Sequence, residues 1–186
     1  MSFTIGIGVL LEEAANNRLR ELELLIAQAT GNWTGLGQPP HVTIKVPFEV
    51  ASMEDIHKTG VLMHRLAAQT KSFPVEIYGF GNFGEQVVYG VVKNSDEFTG
   101  LSNPLIDALI SDDQKREYER GRMIFHSTLG LKLNSREYKL AIKKLEQETL
   151  QLSTRAVGLG LFLGIDELKH WVVIDEVSFL QNNSMH

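Results

Sequence analysis

The sequence predicts an α+β fold, bilobal, in which two pseudo-symmetric units of antiparallel sheet plus helix flank a central groove. Three observations carry this. Apolar stretches of alternating period follow stretches of helical period along the chain. The order strand–helix–strand–strand occurs twice, starting at His41 and at His126, and His41 stands to Val87 almost as His126 stands to Trp171. No Pro/Gly/Ser-rich linker separates the units, so residues 1–186 read as a single two-lobed domain.

Phe3 to Val9 places apolar residues on alternate positions and reads as a strand. Residues 12–28 switch to helical spacing, with Ala15, Leu19, Leu22 and Ile26 on one face. Residues 30–40 are loop by composition. His41 to Phe48 is strand-like, and Ser52 to Asp55 is a capping signature. The helix it opens carries Met53, Ile56, Met63, Leu66 and Ala67 on one side. Phe73–Phe80 and Gln86–Val92 form a hairpin around a Gly-rich turn, and Asn103-Pro104 reads as the start of a short helix to Ile110. Residues 112–122 read as a charged loop. Arg122 to Leu133 is a strand, and Asn134 to Glu137 caps a helix with Tyr138, Ala141, Ile142, Leu145 and Thr149 on one stripe. Arg155–Leu163 and Trp171–Leu180 form the second hairpin.

The composition narrows the function classes. Of 186 residues, 43% are apolar and 22% charged, ordinary values for a globular chain. There is no cysteine, which removes disulfide frameworks, thiolate zinc sites, iron–sulfur clusters and cysteine nucleophiles together. The net charge is −5, and a sequence-blind grip on long nucleic acid needs Lys and Arg to neutralise phosphates. Any nucleic-acid substrate is therefore expected to be small or held by its end. The longest apolar run, Ala156–Ile165, is half of the roughly 20 residues a spanning helix needs. Phe3–Leu11 has no basic residue before it and runs into Glu12-Glu13, unlike a signal peptide. A cytoplasmic monomer without membrane contact is expected.

The chemistry is read from a repeated tetrad. His41-Val42-Thr43-Ile44 and His126-Ser127-Thr128-Leu129 both fit His-x-Thr-apolar, and both occupy the same place in their unit. Two such matches arise by chance in roughly one chain in a hundred. In a strand, positions i and i+2 share a face about 6.6 Å apart, so each tetrad offers an imidazole and a hydroxyl together. Two histidines flanking a phosphorus centre can divide the work: one takes a proton from the attacking oxygen, the other gives one to the leaving oxygen. Threonine hydroxyls can hold the non-bridging oxygens as charge builds there. No metal or cofactor is called for.

These tetrads resemble the paired signature of the two-histidine (2H) phosphoesterase superfamily, the LigT-like group that includes 2′-5′ RNA ligases and cyclic phosphodiesterases. The resemblance covers essentially the whole chain and carries over His41, Thr43, His126 and Thr128. It implies a bilobal fold with a central groove and metal-independent phosphodiester chemistry. The expected activity is hydrolysis of a small cyclic or 2′-linked nucleotide phosphodiester, such as a 2′,3′-cyclic phosphate to a 2′-phosphate. The alternatives are reversible 2′-5′ RNA ligation at the same site and a nucleotide-binding module without turnover. The partner is a small nucleotide or an RNA end.

Further candidates surround the tetrads. Lys45 continues the His41 face and could meet phosphate or end in solvent, while Arg122 lies four residues before His126 on its face. Lys132 is expected at the rim. Trp33, in the loop before the first tetrad, could stack on a nucleobase or anchor the loop. Gly79 to Gly84 fits G-x-G-x-x-G, but a strand follows where a dinucleotide fingerprint needs a helix. His57 and His64 are about 10 Å apart along a helix, too far to share a metal, and read as a solvated face. Asp112-Asp113 has no accompanying ligand cluster. Symmetry leaves the acid and base undivided, with His126 leaning to base and His41 to acid.

Overall fold

The computed structural model describes residues 2–109, 123–165, 167 and 170–181. The chain order is β1 (Phe3–Leu11), α1 (Glu13–Thr30), β2 (Val42–Val50), α2 (Met53–Ala67), β3 (Phe73–Phe83), β4 (Val87–Val92), α3 (Asp96–Leu109), β5 (His126–Leu131), α4 (Ser135–Leu145), β6 (Gln151–Ile165) and β7 (His170–Ser178), with a 3-10 turn at Thr34–Gly37. The expected β-α-β-β order is present twice, as β2-α2-β3-β4 and β5-α4-β6-β7.

The seven strands form one antiparallel sheet along the path β2-β1-β6-β3-β4-β5, with β7 also on β6. The 15-residue β6 is its spine. Its first part, Gln151–Ala156, pairs with β3, and its second part pairs with β1 and with β7. The ends of the path, β2 and β5, touch each other, so the sheet curls until its two outer strands face across a groove.

The core is apolar and continuous. Leu19, Leu22 and Ile26 of α1 are buried, as their spacing requires, and α1 packs on α4 and β5. Gly31 ends α1 in a left-handed conformation (φ 76°), donating its N–H to the Ala27 carbonyl. Ser52 caps α2 by accepting from the Asp55 N–H, and Asn134 forms a full capping box with Glu137. In β1, Ile5, Ile7 and Val9 are buried in the core, while Gly6 and Gly8 alternate with them on the other face. Opposite lie Phe162 and Gly160 of β6, which alternate with Leu159, Leu161 and Leu163. Glycine on that face leaves room for a cavity.

The structure corrects several expectations. α3 begins at Asp96, so Asn103-Pro104 lies inside it and does not start it. The amide hydrogen that proline lacks would have bonded four residues back, at exposed Gly100, whose carbonyl can turn to water. Met53 is 64% exposed at the first position of α2, before the helix reaches the sheet. α4 ends at Leu145, so Thr149 falls outside its stripe. The Gly79–Gly84 run ends β3 and turns into β4, with positive φ at Gly79 and Gly84. Residues 112–122, including Asp112-Asp113 and Arg122, lie outside the described residues.

Candidate active site

The two tetrads are held alike. His41 directly precedes β2, and its Nδ1–H donates to the Pro39 carbonyl at 2.8 Å. His126 opens β5, and its Nδ1–H donates to the Ile124 carbonyl at 2.7 Å. A carbonyl can only accept, so each bond places the proton on Nδ1 and leaves Nε2 as a lone-pair acceptor. Thr43 Oγ1 lies 3.3 Å from His41 Nε2 and donates to it. On each strand the half-buried His and Thr alternate with buried residues: Val42 and Ile44 on one side, Ser127 and Leu129 on the other.

The environment sets the charge on each ring. His41 stacks on Phe162 with ring centroids 4.3 Å apart, and Gly8 lies beneath it. Burial pushes the His41 imidazole down to about 4; the Pro39 carbonyl opposes this, and the positive charge of His126 adds to it. His126 sits against Phe83 and Tyr89, with centroids 4.8 and 5.0 Å away. Burial lowers its pKa too, opposed by the Ile124 carbonyl.

A cavity of about 270 Å³ opens beside His41, lined by His41, Thr43, Lys45, Thr128, Lys132, Gln38, Phe162 and Trp171, with Gly6 in its wall; of the second tetrad it is Thr128, and not His126, that lines it. Sequence positions 43 and 128, one from each unit, thus meet at one site. Lys45 is buried at 3% exposure with Nζ 4.8 Å from the Phe48 ring centre, so the solvent reading of that lysine fails. Lys132 lines the rim in a left-handed conformation (φ 54°), its Nζ donating to the Glu167 carbonyl. Trp33 is 56% exposed and is not among the lining residues, so it is not a packed loop anchor.

Sequence reasoning singled out neither Phe162, Trp171, Gln38 nor the glycines of β1. A signal existed: Ile5-Gly6-Ile7-Gly8-Val9 and Gly158-Leu159-Gly160-Leu161 alternate glycine with core residues, which marks a strand face kept clear of side chains. His57 and His64 line a separate groove, and His64 Nε2 lies 3.0 Å from both Asp175 carboxylate oxygens rather than facing solvent alone. Among the described residues, no group of three or more His, Asp or Glu side chains could hold a metal ion, and no helix is long and apolar enough to cross a membrane.

Comparisons with known proteins agree with this fold. The model of the 2'-5' RNA ligase superfamily matches residues 11–163. A Bacillus cereus (strain B4264) protein named "Putative phosphoesterase" is 30% identical over 112 residues, covering 59% of this chain and 62% of that protein. A counterpart from Geobacillus kaustophilus is 32% identical over 102 residues, 54% of this chain and 56% of that one. The matches thus span about three fifths of the length of these curated relatives. Among solved structures, TT0787 of Thermus thermophilus superposes with a TM-score of 0.68 at 17% identity, covering 95% of this chain and 97% of that one. Apo LigT of E. coli gives 0.61 at 14% identity, covering 97% and 99%.

Proposed function

The chain belongs to the 2'-5' RNA ligase superfamily, and from that premise we propose that it is a metal-independent phosphodiesterase that hydrolyses a small cyclic or 2′-linked nucleotide phosphodiester. One observation carries the reading: each imidazole spends its Nδ1–H on the carbonyl two residues before it, leaving Nε2 as the reacting atom, beside a threonine hydroxyl at His41. The site draws on both β-α-β-β units, so residues 1–186 are treated as one functional domain.

With a 2′,3′-cyclic phosphate as substrate, one Nε2 takes a proton from water as its oxygen bonds to phosphorus. The bond from phosphorus to the 3′ oxygen breaks, and the other histidine, protonated at the start, gives its proton to that oxygen. The products are a 2′-phosphate and a 3′-hydroxyl, and the proton has passed from one histidine to the other. With substrate bound, Thr43 turns its hydroxyl proton from His41 Nε2 to a non-bridging oxygen, Thr128 holds another, and Lys45 adds positive potential behind them. The deeper depression of His41 means that the first proton goes to His126. This favours His126 as acid and His41 as base, the reverse of the lean taken from the sequence. Trp171 offers a ring for a nucleobase, and the volume sits at the small end of ligand pockets, which favours a mononucleotide or a chain end. The structurally similar LigT has been solved with 3'-AMP.

The test is a panel of 2′,3′-cyclic mononucleotides, ADP-ribose cyclic phosphate, 2′-5′ and 3′-5′ dinucleotides, cyclic dinucleotides and RNA ends able to ligate, each with and without EDTA. Turnover of a cyclic or 2′-linked ester, unchanged by chelator, supports the reading. Loss of turnover in EDTA, restored by one divalent ion, overturns the mechanism. Tight nucleotide binding with no product from any member overturns the enzymatic assignment.

A further inference from the structure

We propose that Arg20 and Glu23 of α1 are positioning residues for His41, acting through the loop that ends in Gln38-Pro39-Pro40. The proposal rests on His41 being a reacting group.

A single guanidinium ties helix to loop. Arg20 Nη1 lies 2.6 Å from Glu23 Oε2 and 3.2 Å from the Leu36 carbonyl, and Nη2 lies 2.9 Å from the Gln38 carbonyl. Gln38 is extended (φ −137°, ψ 144°), as a residue before proline must be. Two prolines follow, each with a φ fixed by its ring. The carbonyl that Arg20 grips is therefore one stiff residue away from the Pro39 carbonyl that accepts from His41 Nδ1. Moving the first moves the second, and with it the bond that sets the tautomer and aim of the imidazole.

Glu23 makes sense only in this arrangement. It is 1% exposed on a helix face otherwise made by Leu19, Leu22 and Ile26. Its Oε1 has no hydrogen-bond partner among the described residues, and burial pushes the carboxyl up to about 8 against the pull of Arg20. A leucine would fill that face without the desolvation cost. What the carboxyl oxygen supplies, in either protonation state, is a fixed direction for the guanidinium, whose planar fork then reaches two carbonyls at once. The other end of the loop is anchored separately, by Asn32 Nδ2 donating to the Lys132 carbonyl and to Glu137 Oε2. At Gly35 the loop lies so close to β5 that a Cβ would stand 2.7 Å from the Leu129 carbonyl. The loop is thus held between α1 and β5, with Arg20 gripping the end that leads into His41.

The test reads the imidazoles directly. Nitrogen-15 spectra of His41 and His126 are recorded in R20K, R20A, E23Q, E23A and a control, R18A, whose guanidinium bonds Glu21 and Glu148 instead. R20K keeps the charge and loses the fork. R20K, R20A and E23A should move the His41 nitrogens toward tautomer averaging and leave those of His126 in place. On whichever panel substrate turns over, kcat should fall by about tenfold or more with KM little changed, as misplacement of a reacting group does. E23Q, which still offers an oxygen to Arg20, should lose less than E23A. Should R20A not fold, R20K and E23Q carry the same readout. Unmoved His41 resonances in folded variants overturn the proposal, as do His41 and His126 signals that shift together in step with Tm. If no substrate turns over, the reading of the function fails, while the spectra still decide whether Arg20 and Glu23 set the state of His41.

Discussion

The imidazole of His41 lies on the ring of Phe162, centroids 4.3 Å apart and planes 33° from parallel. That contact takes water away from one face of the imidazole and is part of the burial that lowers its pKa. Both histidines then start neutral at physiological pH, whereas turnover needs one proton on the pair. The profile of kcat/KM, which reports the free protein, should be bell-shaped with its alkaline limb below the ordinary histidine value of 6.5. A bound phosphodiester anion favours the protonated pair, so the alkaline limb of kcat should lie at higher pH than that of kcat/KM. Replacing Phe162 by leucine admits water to His41 and should move the acid limb of kcat/KM upward. The limbs belong to the coupled pair. An alkaline limb of kcat/KM above pH 7, or one untouched by substrate, contradicts this account.

Thr43 and Thr128 enter the cavity from opposite units. Valine at either position keeps the shape and the strand preference and removes the hydroxyl that the proposed mechanism aims at the non-bridging oxygens. Each substitution should lower kcat/KM by about a hundredfold, on the order of 3 kcal/mol, with Tm nearly unchanged. T43V also removes the hydroxyl that bonds His41 Nε2, so its pH profile should shift while that of T128V does not. Steady-state kinetics across pH checks both, and wild-type rates from the two variants would reduce these threonines to strand formers.

Gly8 supports His41 by having no side chain. A Cβ there would stand 2.5 Å from His41 Cδ2, closer than real contacts allow. Gly8→Ala should therefore displace the ring from Phe162 and depress kcat strongly. Gly31→Ala, at a helix end with open space around it, should cost stability through its positive φ and spare kcat. Measuring kcat and Tm for both separates the effects; equal kcat losses would mean that Gly8 is not acting through His41.

The chain has two tryptophans, and of these Trp171 lines the cavity. Quenching of intrinsic fluorescence by a bound nucleotide should survive W33F and vanish in W171F. W171A should raise KM with little effect on kcat, because stacking holds ground state and transition state alike. Quenching that depends on Trp33 would place the base at the exposed loop instead.

Much of this was legible in the sequence because period carries element type. Leu19, Leu22 and Ile26 repeat at helical spacing and are buried on α1, and the alternation from Val42 to Ile44 is a strand whose even positions face the core. The paired His-x-Thr tetrads could be matched to each other because both keep the same residue types at the same place in their unit, and the structure brings Thr43 and Thr128 to one cavity. What escaped depends on partners far along the chain. Trp171 and Phe162 reach the cavity only through the registers of β6 with β1 and β7, which local spacing does not encode. Asn103-Pro104 has the look of a helix start, yet α3 absorbs the proline in mid-course because packing of Phe98, Leu101, Leu105 and Ile106 outweighs one lost hydrogen bond. Glu23 was invisible because a charge inside an apolar stripe reads as an error in the period until its partner is seen.

The shared strand β6 has a consequence for how the molecule is made. It joins Ile5 to Leu163 and Phe73 to Ala156, so β1 keeps one edge open until the residues after Gln151 have left the ribosome. Folding is governed by these distant pairings, a high-contact-order arrangement that is intrinsically slow. Until β6 arrives, the apolar run Ile5–Leu11 presents that edge to other chains and is open to association with them. A truncation ahead of Gln151 thus leaves two incomplete half-sheets rather than a smaller protein.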